Sequence, residues 1–185
     1  GICTATDTTP AVFSFTDQTG VAPGSVITSD SITVAGIDFP TDVSITACTG
    51  PGPCEYEING SGTWFTGPAT VMNNDTVAVR QTSSGSYGTA TDLTLDIGGV
   101  SDTFTVTTLN AYAVTANAGG NGSGMVASDA GGISYSYPDA NTGTSALLEE
   151  GSSITLTATA GTGSTAAWAG CDEIGGTSAA ATCSF

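Results

Sequence analysis

The residue types behind most covalent catalysis are missing from this chain of 185 residues: it has no histidine, and Arg80 is its single basic side chain. Ser–His, Cys–His and Ser–Lys nucleophile systems therefore cannot be assembled. A glycosidase needs only two carboxylates, and Glu55 and Glu57 stand at i and i+2 on an expected strand. They would share one face, roughly 6–7 Å apart by strand rise, close to the spacing of an inverting pair. The same pattern suits a solvent-facing acidic strand in an edge hairpin, and that reading is adopted; no catalytic residue is assigned. Glu149 and Glu150 are adjacent, so on an extended chain they point to opposite faces. Zinc finds no histidine, and the cysteines are better used in disulfides. Asp7 and Asp17 could lend oxygens to calcium, but no EF-hand or dense Asp-x-Asp spacing supports them. Calcium is the one ion left open, and no other metal or cofactor is expected.

The charge balance excludes whole classes of partner. With 17 acidic residues against one arginine, the net charge is −16, although only 10% of residues are charged. Nucleic acid is not an expected partner, because nothing can neutralise its phosphates. Attraction to anionic lipid by a basic patch fails likewise. Ion pairing can contribute little, so stability must come from apolar burial, backbone ladders and disulfides. No apolar run approaches the ~18 residues of a membrane span, and no basic-then-apolar leader is present. An exported chain would thus begin at Gly1 after removal of its signal.

Five cysteines amid Ser, Thr and Gly favour an oxidising, extracellular or cell-surface setting. Cys48 and Cys54 bracket the loop Thr-Gly-Pro-Gly-Pro, and Cys171 and Cys183 bracket a Gly/Ser/Ala loop. Each pair is local in sequence and flanked by turn residues, so Cys48–Cys54 and Cys171–Cys183 are the expected bridges, though five cysteines permit other pairings. The entropy model assigns such rings roughly 2–3 kcal/mol each. Cys3 is left over, as a free thiol or a bridge to another chain.

The elements that must carry these residues are strands. Gly1 to Pro10 is a Thr-rich polar arm closed by proline. The segment 11–16 (AVFSFT) alternates, with Phe13 and Phe15 on one face and Val12 on the other. Short strands are expected at 26–28, 31–34, 43–47, 55–58, 64–65, 76–81, 91–97 and 100–107. Asn59-Gly60 and Gly98-Gly99 are two-residue hairpin turns. Leu93, Leu95 and Ile97 are expected to face Phe104 and Val106 across the core. Turns recurring about every 8–12 residues indicate an antiparallel sandwich. Near Leu109-Asn110 the composition shifts towards Ala, Gly and Ser, marking a boundary. Beyond it, strands are expected at 111–116 (Tyr112 and Val114 inward), 125–127, 133–137 and 153–160. The segment 145–150 (SALLEE) leans towards helix but is too short to stand alone. The fold class is all-β: two antiparallel β-sandwich-like, Ig-like domains in tandem. The arm is 1–10, the first domain 11–108 and the second 109–185.

Several blocks carry a resemblance. Asp-Thr-Thr-Pro at 7–10, Phe-Ser-Phe-Thr-Asp-Gln-Thr-Gly-Val at 13–21, Ile-Asn-Gly at 58–60, Asn-Asp-Thr-Val at 74–77 and Ile-Gly-Gly-Val-Ser-Asp-Thr-Phe-Thr-Val-Thr-Thr at 97–108 resemble an Ig-like module. It occurs in tandem in large bacterial secreted and surface proteins. Gly122-Ser-Gly, Leu156-Thr-Ala-Thr-Ala, Trp168-Ala-Gly-Cys and Thr182-Cys resemble a divergent InlB-type B-repeat over 111–185. The second cysteine pair common in that repeat is replaced here by Tyr135-Ser-Tyr-Pro-Asp. The repeat also usually continues one strand past its last cysteine. The resemblance implies a surface or spacer module with no enzymatic activity, whose second unit is incomplete and leaves a sheet edge open.

The function expected from these readings is a non-enzymatic subunit of an extracellular bacterial filament, a homopolymer built head to tail. The N-terminal arm of one copy would add a strand to the open edge of the next, with Cys3, Val12, Phe13, Phe15 and Phe185 in the intermolecular contact. Alternatives are a spacer or adhesin module of a larger surface protein, and a carbohydrate-binding module. The latter would bind a surface glycan on Trp64 and Tyr56, or on Tyr135 and Tyr137.

Overall fold

The computed structural model describes residues 6–185; Cys3 lies outside them. Among the described residues there is no helix, and the chain divides into two compact units, 1–110 and 111–185.

The first unit contains β1 (Gln18–Val21), β2 (Val26–Thr28), β3 (Ile32–Thr33), β4 (Thr41–Cys48), β5 (Glu55–Ile58), β6 (Trp64–Phe65), β7 (Ala69–Val71), β8 (Thr76–Thr82), β9 (Ala90–Ile97) and β10 (Val100–Thr108). One sheet runs β1-β10-β9-β4-β7; the other runs β2-β8-β5-β6, with β3 also on β8. All pairs are antiparallel except β1 on β10. The two inner faces meet in one core, to which β4, β7, β9 and β10 contribute Val43, Val71, Leu93, Leu95, Ile97, Phe104 and Val106, and β5 and β8 contribute Tyr56, Val77 and Val79; all ten are fully buried. Each such aliphatic or aromatic side chain contributes about 1.5–3 kcal/mol on burial. The expected opposition of Leu93 and Phe104 across the core is corrected. They are directly paired on neighbouring strands β9 and β10, on one face of one sheet.

Gly98 and Gly99 both take positive φ, 57° and 87°, as the tightest hairpin turn demands. Gly98 has a second constraint: a Cβ there would lie 2.2 Å from the Thr8 carbonyl oxygen. That close approach belongs to the segment before β1, and it corrects two expectations. Residues 11–16 form no regular strand, and residues 7–10, expected as part of the donor arm, are bonded to their own unit. The Asp38 N–H donates to the Asp7 carbonyl at 2.9 Å, and the Ala11 N–H to the Ala35 carbonyl at 2.7 Å. Pro10 is buried, and the Phe15 N–H donates to Asp102 Oδ2 at 2.7 Å. Apolar packing outweighs strand propensity here: Phe15 enters the core, edge-on to Phe13 at 5.9 Å and to Phe104 at 6.4 Å.

The second unit contains β11 (Ala111–Tyr112), β12 (Thr115–Asn117), β13 (Gly124–Ser128), β14 (Ser134–Tyr137), β15 (Thr142–Thr144), β16 (Leu148–Glu149), β17 (Thr155–Ala160), β18 (Glu173–Thr177) and β19 (Ala180–Ser184). Its main sheet is antiparallel, in the order β14-β13-β17-β19-β18, and two ribbons, β11-β16 and β12-β15, accompany it. The core is small: Ala116, Val126, Ile133, Ile154, Leu156 and Cys183, with Val114, Leu148 and Trp168 against it. The expected single strand 111–116 is broken in two, and Tyr112 is 58% exposed rather than inward. The helix-leaning 145–150 instead supplies β16, because Leu148 and Glu149 pair with Tyr112 and Ala111.

Both disulfides are present. Cys48–Cys54 closes the end of β4 onto the start of β5, and Cys171–Cys183 ties the approach to β18 onto β19. Two bridges suit an oxidising compartment. Among the described residues, no helix is long and apolar enough to cross a membrane.

Candidate functional site

The sequence pointed to an open edge at the last strand. The structure moves that edge. β19 is flanked on both sides, by β17 (Leu156 opposite Cys183) and by β18 (Ile174 opposite Cys183). Phe185 continues the pairing, exchanging backbone hydrogen bonds with Ile154 at 3.1 and 3.3 Å. On that side of the sheet the outermost strand is β18, reached through the two-residue turn Ser178-Ala179.

In an antiparallel pair, alternate residues direct their N–H and C=O groups away from the partner. The outer side of β18 therefore presents backbone donors and acceptors to solvent. All five of its residues are exposed, and Ile174 is 58% exposed. Natural edges are commonly guarded by lysine, proline or a covering loop. β18 has neither lysine nor proline, only Glu173 at its end. Cys171–Cys183 and the hydrogen bond from Trp168 Nε1 to the Ala181 carbonyl (3.0 Å) hold the hairpin in place. The edge is thus preorganised, which lowers the ordering cost of adding a strand.

The other expected contact residues lie elsewhere. Val12 is 89% exposed in the first unit, whereas Phe15 is 7% exposed in that unit's core, with Phe13 packed against it. Phe15 is thereby withdrawn from any surface. Phe185 is 40% exposed beside Ile154.

Glu55 and Glu57 are both engaged. Glu55 Oε2 meets Arg80 Nε at 2.6 Å, and Glu57 Oε2 accepts from the Gly62 N–H at 3.1 Å. The Arg80 guanidinium lies 4.0 Å from the centre of the Trp64 ring, so Trp64 is a cation–π platform for its own chain. Tyr56 is fully buried and stacks on Phe65; its hydroxyl donates to the Gly67 carbonyl at 2.7 Å. Burial raises its pKa above the ordinary phenol value, and does the same for Tyr135. Tyr56 is therefore corrected from a surface platform to a core residue. Asp7 Oδ1 accepts from the Thr9 N–H and Asp17 Oδ1 from the Thr105 N–H. Among the described residues, no three His, Cys, Asp or Glu side chains converge as metal ligands would.

Two features escaped the sequence reading. Ile174 sits in a Gly-rich run that resembled a loop; its signal was the short turn Ser178-Ala179 before an alternating Ala-Thr-Cys strand. The Arg80–Trp64 contact joins β8 to β6, which pair only through β5, and nothing in the local sequence marks it. No family model, curated protein or solved structure matches this chain.

Proposed function

We propose that this chain is a non-enzymatic extracellular structural subunit that assembles by strand addition at β18. The observation that carries the reading is the exposed outer edge of β18, which has no lysine or proline to guard it, with Ile174 exposed on that strand. Main-chain hydrogen bonds would supply affinity, and the Ile174 side chain would help set register. The donor is the N-terminal segment of a neighbouring copy. Because Asp7, Ala11, Phe13 and Phe15 are engaged by their own unit, the donated part is narrowed to the residues ahead of Asp7, including Ile2 and Cys3. A head-to-tail contact of this kind does not close and propagates as a fibre.

The test compares the wild-type chain, a chain lacking residues 1–6, and Ile174→Glu, by light scattering and negative-stain microscopy. Ile174→Glu leaves the core cluster untouched and replaces the apolar side chain that would help set register with a charge that loses solvation when a strand is added. Wild type should polymerise, and both variants should remain monomeric. A monomeric wild type overturns the proposal and favours a spacer module; a variant that polymerises like wild type overturns the assigned edge or donor.

A further inference from the structure

We propose that the second unit binds a neutral oligosaccharide in a groove between the loop 118–123 and the segment 163–168, floored by β13 and β17. The groove has a volume of about 480 Å³, within the range of roughly 300–1,000 Å³ typical of small-molecule sites. It is distinct from the outer edge of β18, and no residue of β18 lines it.

Its chemistry is selective. Asn117, Asn121, Ser164 and Thr165 offer uncharged donors and acceptors, and Tyr137 and Trp168 supply aromatic surface. No Asp, Glu, Lys or Arg lines it, although the chain carries 17 acidic residues. An anionic ligand would find no cation there, and a cationic ligand would find no carboxylate. The ligand class that matches neutral hydrogen-bonding groups beside aromatic carbon is a polyhydroxylated, uncharged one.

The two rings are already satisfied in their polar atoms. Tyr137 Oη donates to the Gly120 carbonyl at 2.6 Å, and Trp168 Nε1 donates to the Ala181 carbonyl at 3.0 Å. What they offer a ligand is therefore carbon surface, held in orientation by those bonds. The electron-rich face of an aromatic ring attracts the weakly positive C–H face of a pyranose. The loop stays open because its residues carry little side chain. It is anchored at its base, where the Ser123 N–H donates to Ser164 Oγ at 3.1 Å and the Gly161 N–H to the Ser123 carbonyl at 2.7 Å.

The experiment titrates the full chain by calorimetry with neutral gluco-, manno- and galacto-oligosaccharides and with uronic-acid and sialylated counterparts. At least one neutral series should bind at millimolar concentration or below, and the acidic series should not. Gly119→Trp is the blocking variant: Gly119 has an ordinary backbone angle, and a Cβ there meets nothing within 4 Å. It should weaken binding at least tenfold with an unchanged melting curve. Thr165→Arg, on the exposed opposite wall, should do the same, and serves if the first variant fails to fold. No binding by any neutral series, equal binding of acidic sugars, or undiminished affinity in a folded blocking variant overturns the proposal.

Discussion

Gln81 Nε2 donates to the Phe104 carbonyl at 2.8 Å and to the Thr91 carbonyl at 3.1 Å. Gln81 lies on β8, while Phe104 and Thr91 lie on β10 and β9. One fully buried amide thus links the two sheets of the first unit through their backbones. Its Oε1 has no partner among the described residues, so the link carries part of its own desolvation cost. Gln81→Leu would leave both carbonyls without this donor. Unsatisfied buried acceptors cost about 1–3 kcal/mol each, so a loss of about 2 kcal/mol or more is expected in urea denaturation. A neutral or stabilising result would show that the apolar replacement repacks and the bridge contributes nothing net.

Tyr56 makes the first unit sensitive to alkali. Burial raises its folded-state pKa above that of the unfolded chain, about 10. The sign follows from linkage: the unfolded state loses the phenolic proton first, so stability is full below pH ~10 and is lost as pH rises through the folded value. Tyr56→Phe should flatten that alkaline loss. At neutral pH it should cost about 1–2 kcal/mol, because the Gly67 carbonyl loses its donor. Denaturation followed between pH 8 and about 11.5 reads both effects; identical pH profiles for wild type and variant would remove Tyr56 as the cause.

The two disulfides should matter unequally. Their loops are of 6 and 12 residues' separation, for which chain entropy gives roughly 2 and 3 kcal/mol. The first unit has an extensive core, and loss of Cys48–Cys54 should lower its melting temperature without unfolding it. The second unit has six buried apolar residues in its cluster, so the double variant Cys171→Ala, Cys183→Ala should unfold it at far milder temperature. Two separate melting transitions, with only the second collapsing on reduction, is the expected calorimetric trace. A larger shift from breaking Cys48–Cys54 would reverse the assignment.

Salt should stabilise this protein. The charge is −16, and the Arg80–Glu55 contact, on side chains 30% and 17% exposed, is the ion pair that screening would weaken. Surface-near pairs of this kind are worth about 0–1 kcal/mol, less than the relief of self-repulsion. Raising ionic strength from about 0.01 M to 0.15 M shortens the screening length from about 30 Å to 8 Å. The melting temperature should therefore rise over this interval, and a fall would mean that the Arg80–Glu55 pair outweighs the net repulsion. Arg80→Met should cost about 1 kcal/mol and shift Trp64 emission, because the ring loses its cation.

The strand at 91–97 and its partner at 100–107 were legible from alternation and from Gly98-Gly99, because both encode geometry within a few residues. The Cys48–Cys54 loop was legible for the same reason: its ends have no freedom to separate. What alternation cannot say is which strands become neighbours. Leu93 and Phe104 read as residues on opposite sides of a core and proved to be paired on one sheet. The segment 11–16 read as a strand by its pattern, yet it is held as irregular chain by Pro10, Gly98 and the pocket that takes Phe15.

The candidate edge shows the same division. Composition by itself determined that this protein is strongly acidic and poor in ion pairs, and that nucleophile catalysis resting on histidine or lysine is closed to it, since those depend only on which residues exist. Alternation and turn spacing along the chain determined that it is all-β. Local spacing determined the two disulfide hairpins. Only the tertiary structure decided that β19 is interior and β18 lies at an edge, and that Phe15 is core while Ile174 is surface. It also decided that two aromatic residues far apart in sequence flank one uncharged groove. Those outcomes depend on strand order, which is set by the long-range burial of apolar faces, and no stretch of the chain encodes that order alone.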